Sequence, residues 1–519
     1  MKKKAAKKEN KGLTSVIYGR SGIFILMLLL QMGILAFVVT ALWDYMVIIY
    51  SVLNVIGIAA LIYVINDGGT PEYRMTWMLC IVSLPMVGVL FYLYVKTGIG
   101  SRHIGKQLSK LRVETSEYME QDMEIISQMK TSRFSNTKLS YYLSQQLGFP
   151  TYSNTEIEYH ALGEDNFESL LRELKKASRF IFMEYFIVKE GWMWDSIREI
   201  LAEKAQEGVE VRFMYDGMCS VSMLPYDYPN QLKQMGIQCK MFNPIKPILS
   251  TVQNNRDHRK ICVIDGHTAY TGGINLGDEY INREERFGHW KDTAIMLKGD
   301  AVQSMTVMFL QMWNVNEKKP ESYDRYMTPQ TGGFNLATGY VLPYGDSPYD
   351  NEDVGAEVYL HILNHAREYV HIMTPYLILD YDMISTLTRV AKSGVEVIII
   401  MPHIPDKQYA FDLAKTYYSE LIEAGIQIYE YTPGFVHAKV FVSDDDTATV
   451  GTVNLDYRSL YLHFECGAFI YENPVVYQIE KDFQETLDKC HKVSLIEVRN
   501  RSLYTKIKGR LLRLLAPLM

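Results

Sequence analysis

The chain has no Cys-x-x-Cys pair, no His-Glu-x-x-His motif and no tight cluster of cysteine with histidine. Those absences remove the usual zinc signatures and a redox-active dithiol, and no metal or other cofactor is expected. Six cysteines (Cys80, Cys219, Cys239, Cys262, Cys466 and Cys490) among 519 residues are too sparse for a disulfide-stapled scaffold. Several lie in apolar runs, where a thiol packs as a small hydrophobe, and this usage suits a reducing compartment. An overall basic charge is also missing. The formal net charge is -7 and the pI is near 6.0, so no nucleic-acid partner is expected. Finally, three stretches lack Asp, Glu, Lys and Arg altogether: Ile23–Leu42, Tyr45–Ile65 and Trp77–Val95. A helix of about 20 such residues crosses a ~30 Å hydrocarbon core with its backbone bonded internally, so each stretch predicts a membrane helix. The length of the first run, with no small-residue cleavage site after it, argues against a removable signal peptide.

Charge is concentrated at the two ends. Residues 1–20 carry seven Lys and Arg against Glu9 alone, and the last 19 residues carry five (Arg501, Lys506, Lys508, Arg510 and Arg513) with no acid. Both ends suit an anionic lipid surface, and the last segment is amphipathic as well. Positive charge belongs on the cytoplasmic side. Yet it precedes the first apolar stretch and also follows the third, at Lys96, Arg102, Lys106, Lys110 and Arg112. Three full spans would separate these groups, and only Trp43 and Asp44 part the first two stretches, so either one of those two is re-entrant or the first lies outside a two-span hairpin. The expectation is a multi-pass protein of the cell membrane with its catalytic part in the cytoplasm.

Beyond residue 150 the chain alternates β-branched runs with amphipathic helix patterns, as α/β layers require. The order repeats. Strand candidates at Phe180 and Val209, with a helix from Trp194 to Gln206 between them, are answered by candidates at Tyr369 and Val395, with a helix from Met383 to Lys392. Self-similarity of this kind implies two copies of one domain. The division expected is a basic tail and transmembrane helices over 1–97, a helical connector over 98–149, two α/β domains over 150–330 and 331–498, and a basic amphipathic tail over 499–519.

Each copy holds the same constellation. His258, Lys260 and Asp265 are followed, after six intervening residues, by Gly272 and then Asn275; His437, Lys439 and Asp444 are followed at equal spacing by Gly451 and Asn454. Residues two apart on a strand share a face, so each His and Lys point together. The aspartate ends the strand at a turn, and the next strand returns to a glycine where backbones approach closely. The chemistry suits a phosphodiester. One imidazole attacks phosphorus, a second protonates the departing alkoxide, and lysines with asparagine amides hold the phosphoryl oxygens. The candidate catalytic set is therefore His258, Lys260, Asp265, His437, Lys439 and Asp444, with Asp265 and Asp444 fixing turns. Asn275 and Asn454 are the candidate substrate-binding pair.

The paired motif resembles that of the phospholipase D superfamily, and the chain resembles the bacterial cardiolipin synthases of that superfamily along nearly its whole length, including the ending Arg510–Leu518. The resemblance implies two pseudo-symmetric α/β domains with one histidine from each at their interface. It also implies transfer of a phosphatidyl group between two phosphatidylglycerols with release of glycerol, His258 as nucleophile and His437 as general acid and base. An acid following each motif should orient a histidine: Asp292 in the first copy and Glu465 in the second. The family pattern has Ser after the first glycine; here Gly273 and Thr452 stand there, so the first half-site loses a hydroxyl. The motif does not separate transfer from hydrolysis. A phospholipase D-type hydrolase, a phosphatidylserine-forming transferase and a scaffold with a decayed site are the alternatives.

Overall fold

The computed structural model describes residues 45–518 except 67, 69, 98, 131–135, 246–253 and 328–337, together with 29, 32, 33, 36, 37, 40 and 41. Most of the first apolar stretch and part of the junction between the two copies lie outside the described residues.

Two sheets carry the repeat. The first has seven strands in the order Thr155–His160, Ala294–Gly299, Thr268–Gly272, Lys260–Ile264, Phe180–Tyr185, Glu210–Asp216 and Gln238–Phe242. The second runs Tyr340–Asp346, Glu465–Tyr471, Thr447–Gly451, Val440–Ser443, Tyr369–Met373, Glu396–Pro402 and Gln427–Tyr431, and ends with an eighth strand, Cys490–Lys492. Strand for strand the two orders match. In both, four antiparallel pairings lead to two parallel ones. The central strands, such as Phe180–Tyr185 and Lys260–Ile264, are buried at every position. That is why they read as continuous apolar runs rather than as an alternation: both faces are covered.

The covering on one face is common property. Phe182, Ile261 and Val263 of the first sheet share a core with Val440, Val442 and Val450 of the second. The helix Val302–Asn314 lies in this core and is buried along almost its whole length. The helices of the connector, Ile99–Glu114, Met123–Met129 and Thr137–Leu147, send Leu108, Ile126, Met129, Leu139 and Leu143 into it. The opposite face of the first sheet has its own core around Trp194, Phe213 and Tyr215.

The N-terminal helices form a separate apolar cluster. Met46–Asn66 is a 21-residue helix without an acidic or basic residue. The third apolar stretch is not the single helix expected from the sequence. It breaks at Leu84 into Pro71–Ser83 and Pro85–Thr97, of 13 residues each. Pro85 is the cause, because its ring excludes helical geometry at the residue before it, and Leu84 sits at φ -137°, ψ 72°. The two helices fold back on each other: the Trp77 and Tyr92 rings are 5.3 Å apart, and Gly88 packs on the backbone of Cys80 and Ile81. Each rises only about 20 Å, short of the ~30 Å core. Among the fully described residues no helix offers a run long and apolar enough to cross a membrane, and several side chains within Met46–Asn66 lie outside that set.

Candidate active site

Two short parallel contacts between the halves build the site. Gly434–Val436 pairs in parallel with His289–Lys291, so His437 and Asp292 emerge side by side from the ends of one ribbon. The His437 amide donates to the Lys291 carbonyl at 2.7 Å. The mirror image is an isolated parallel bridge of Asp257 to Phe464, which brings out His258 and Glu465 together. There the His258 amide donates to Phe464 O at 2.9 Å, and the Phe464 amide to Arg256 O at 2.8 Å.

The carboxylates therefore serve across the pseudo-two-fold. His258 Nδ1 lies 2.9 and 2.8 Å from the two oxygens of Glu465, and His437 Nδ1 lies 2.6 Å from Asp292 Oδ2. Each acid orients the imidazole of the other copy. Both rings are nearly enclosed, at 6% and 8% exposure, and both acids are fully buried. Burial pushes the His258 imidazole down to about 3, and burial with the nearby Lys439 charge pushes His437 down to about 4. Two neutral rings follow, each donating its Nδ1 proton to a carboxylate and each left with a lone pair on Nε2.

Lys260 Nζ donates to His258 O at 2.6 Å, and Lys439 Nζ to His437 O. Both ammonium groups are buried, which lowers Lys260 to about 8 and Lys439 to about 7. Positive charge held in a closed, low-dielectric site suits the binding of a phosphodiester anion.

The structure does not bring Asp265 and Asp444 to the imidazoles. They stand past the far ends of Lys260–Ile264 and Val440–Ser443, in left-handed turns at φ 55° and 54°. Each ties down the start of a neighbouring strand. Asp265 accepts from the Ser178, Arg179 and Phe180 amides at 2.8, 2.7 and 2.9 Å, and Asp444 from the Arg367, Glu368 and Tyr369 amides at 2.8, 2.9 and 3.0 Å. The Asn275 amide is committed on both sides, accepting from the Ile187 amide at 3.0 Å and donating to Tyr280 Oη at 2.9 Å. Asn454 donates one N–H to Ser459 Oγ at 3.0 Å, and its Oδ1 is buried without a hydrogen-bond partner. Both asparagines thus brace the loops after the motifs, each through one of the two N–H groups of its amide.

Reading the sequence left His463 without a role. Its ring centroid is 5.7 Å from that of His258, it is nine-tenths buried, and neither ring nitrogen has a hydrogen-bond partner. The signal was present: His463 and Glu465 are two apart, the same spacing that aligns His258 with Lys260. His258, His463 and Glu465 are also the one group of described residues whose ligand atoms, within 4.8 Å of one another, could hold a metal ion. Binding one would break the His258–Glu465 pair beside the Lys260 charge, so the residues fit a metal poorly. Arg283 stacks on Trp192 with its guanidinium 4.0 Å from the ring centroid, and Arg286 pairs with Glu279 at 3.0 Å.

A duplicated sheet delivering two His/Lys pairs to one interface is the architecture of phospholipase D-type phosphoryl-transfer proteins. The family described as "Cardiolipin synthase, PLD-like domain" matches residues 170–313 and 359–487. A cardiolipin synthase of Alkalihalophilus pseudofirmus is 32% identical over 90% of this chain and 92% of its own. One from Halalkalibacterium halodurans is 31% identical over 96% and 99%. An uncharacterized protein of Streptococcus mutans is 48% identical over 89% of this chain and all of its own. The fold is also that of the crystal structure of phosphatidylserine synthase from Haemophilus influenzae, with TM-score 0.56 at 15% identity over 73% of this chain and 98% of that one. The chain belongs to the cardiolipin synthase family, and through it to the phosphatidyltransferases of the phospholipase D superfamily.

Proposed function

We propose that the two imidazoles bracket one phosphodiester and move a phosphatidyl group from one phosphatidylglycerol to the glycerol hydroxyl of another. His258 Nε2 attacks phosphorus and the bond to the glycerol oxygen breaks. His437, which takes up a proton from solvent on Nε2 when the anionic substrate binds, gives that proton to the oxygen, and glycerol leaves behind a phospho-His258. The hydroxyl of the second phosphatidylglycerol then gives its proton to His437 and attacks phosphorus. His258 is released and cardiolipin forms. The observation that carries this reading is the crossed pairing of each imidazole Nδ1 with a buried carboxylate of the opposite half. Binding of the anionic substrate raises the proton affinity of His437, and the enclosed site lets a lipid hydroxyl compete with water at about 55 M. Lys260 and Lys439 hold the phosphoryl oxygens. The test is purified protein with phosphatidylglycerol alone: cardiolipin and glycerol should appear in equal amounts, and phosphatidic acid as the sole product would defeat the transferase reading. His258→Ala and His437→Ala should each lower turnover by about 10³-fold or more, and full activity in either would defeat the pairing.

Membrane attachment belongs to the same reading. If the first two apolar stretches are a pair of spans, the Pro85 hairpin returns the chain to the face it entered. The N-terminal lysines and the charges from Lys96 to Arg112 then share the cytoplasmic side with the catalytic halves. Single cysteines introduced at positions 10 and 106 of an otherwise cysteine-free chain should both resist an impermeant thiol reagent added outside intact cells. Labelling of either would overturn this arrangement.

A further inference from the structure

The C-terminal helix Leu503–Leu515 is docked by one edge only. Gly509 and Ala516 are buried against the second half, with Gly509 packed on Thr416 and Asp412. A side chain at 509 would collide with Thr416, so the glycine permits the close approach. The opposite face is apolar and uncovered: Leu503, Tyr504, Ile507, Leu511, Leu514 and Leu515 are between 48% and 76% exposed. At 100° per residue these six fall within one third of the helix circumference. Lys506, Arg510 and Arg513 form the stripe beside them.

That basic stripe is one wall of a groove of about 720 Å³. Its other walls are the helices Tyr418–Glu423 and Leu495–Arg499 and the end of Tyr381–Lys392. Seven lysine and arginine side chains line it against two carboxylates, Glu420 and Glu423. Those acids are used by Arg513 at 3.5 Å and Arg499 at 2.9 Å, and Lys415 pairs with Glu430 at 2.9 Å. Lys392 and Arg510 form no ion pair among the described residues, while Arg501 and Lys506 donate to the backbone carbonyls of Lys415 and Arg499. The groove therefore holds an excess of cationic donors suited to a phosphate, with an apolar shelf along one rim.

The shelf does not end with the helix. Thr76 Oγ1 lies 3.1 Å from Leu514 O, and the last residues pack on the helix Pro71–Ser83. That helix and its hairpin partner expose Met75, Leu79, Val82, Leu84, Val87 and Leu90. A basic groove bordered by exposed apolar side chains, on a helix whose end packs against a second apolar helix, matches an amphiphile with an anionic head.

We infer that this groove is a binding site for the phosphodiester head group of an anionic phospholipid of the bilayer, with its acyl chains lying on the exposed face of Leu503–Leu515. It takes no part in the transfer chemistry, since no residue of the His/Lys centre lines it, and it stands or falls apart from that reading. A bound lipid ties the end of the chain to the membrane and holds the second half at the lipid surface.

The test uses the full-length protein in non-ionic detergent, with amide hydrogen exchange of residues 495–515 as a local readout that the catalytic centre does not move. Dihexanoyl phosphatidylglycerol should slow exchange there by about threefold or more. Dihexanoyl phosphatidylcholine and inorganic phosphate should not. In Lys392→Glu/Arg510→Glu the half-maximal lipid concentration should rise by about tenfold or more, while turnover of micellar phosphatidylglycerol stays at the parental rate. If that double variant fails to fold, seen as lost turnover, Lys392→Gln/Arg510→Gln takes its place with the same direction of change. An unchanged half-maximal concentration in the folded variant, or no protection in the parent, overturns the site. Equal protection by phosphatidylcholine overturns anion recognition, and equal protection by phosphate overturns the assignment to a lipid.

Discussion

The two half-sites do the same job with different parts. Around His258 the orienting acid is the longer one, Glu465, reached in a forked contact and steadied by the Thr452 hydroxyl, which donates to it. Around His437 the acid is the shorter Asp292, held by a single oxygen, and position 273 has no side chain. The difference is one of space. A Cβ at Gly273 would collide with Asp292 Oδ1 and lie 3.0 Å from His437 O. The loss of the hydroxyl in the first copy is therefore paired with the shorter acid. The surroundings differ too: Tyr280, Trp290 and Phe435 pack around His437, whereas Phe186 and His463 flank His258. The His437 ring is walled by aromatics, while the His258 ring has a second imidazole beside it, His463, whose Nδ1 lies 3.8 Å from Glu465 Oε1.

The strongest way to break this comparison is to neutralise one acid at a time. Glu465→Gln and Asp292→Asn should each cut kcat by about 10²- to 10⁴-fold, because each leaves a buried imidazole without the partner that fixes its tautomer. The crossed arrangement is sharpened by phosphohistidine trapping: with His258 as nucleophile, Asp292→Asn should still accumulate phospho-His258, whereas Glu465→Gln should not. Equal labelling in both variants would dissolve the distinction between the halves.

Next in size are the residues behind the acids. Gly273→Ser should lower kcat about tenfold or more by displacing Asp292. Thr452→Val, which removes only one hydrogen bond to Glu465, should cost about three- to tenfold. A more active Gly273→Ser would mean that Asp292 tolerates displacement, and steady-state kinetics on micelles would reveal it.

The lysines set a smaller, pH-dependent effect. A lysine carries its charge below its pKa, and these stand near 7 for Lys439 and near 8 for Lys260. The value of kcat/KM, which reports groups of the free enzyme, should fall as pH rises through 7 and 8 while the anionic substrate loses its cationic partners. The free-enzyme imidazoles titrate near 3 and 4, below this range, so inflections near 7 and 8 belong to the lysines. Lys439→Arg should push the falling limb to higher pH wherever activity survives. A pH profile that stays flat between 6 and 9 would refute the assignment.

The least effect on chemistry belongs to the motif aspartates. Asp265→Ala and Asp444→Ala should leave the pH profile unaltered and lower stability by about 1–3 kcal/mol, seen as a reduced thermal midpoint. A shifted profile with normal stability would return these residues to the active site.

The sequence made the repeat, the strand positions and both His/Lys pairs legible, because period-two spacing and apolar runs are local properties. The acids Asp292 and Glu465 were found as candidates by resemblance, but which histidine each serves was not. That depends on the ribbon of Gly434–Val436 with His289–Lys291, a contact between segments far apart in the chain. The asparagines after the motifs read as phosphate donors, and only the fold reveals Ile187, Tyr280 and Ser459 as their partners. The break at Leu84 could have been read from Pro85, but hydropathy alone, averaged over the run, passed across it.

Because each carboxylate crosses to the other copy's ring, neither copy is a working unit by itself. Cut between them, the chain would yield one piece bearing His258 without Glu465 and another bearing His437 without Asp292. The two pieces could not trade places either: one imidazole is built for a longer acid backed by a hydroxyl, the other for a shorter acid backed by a glycine.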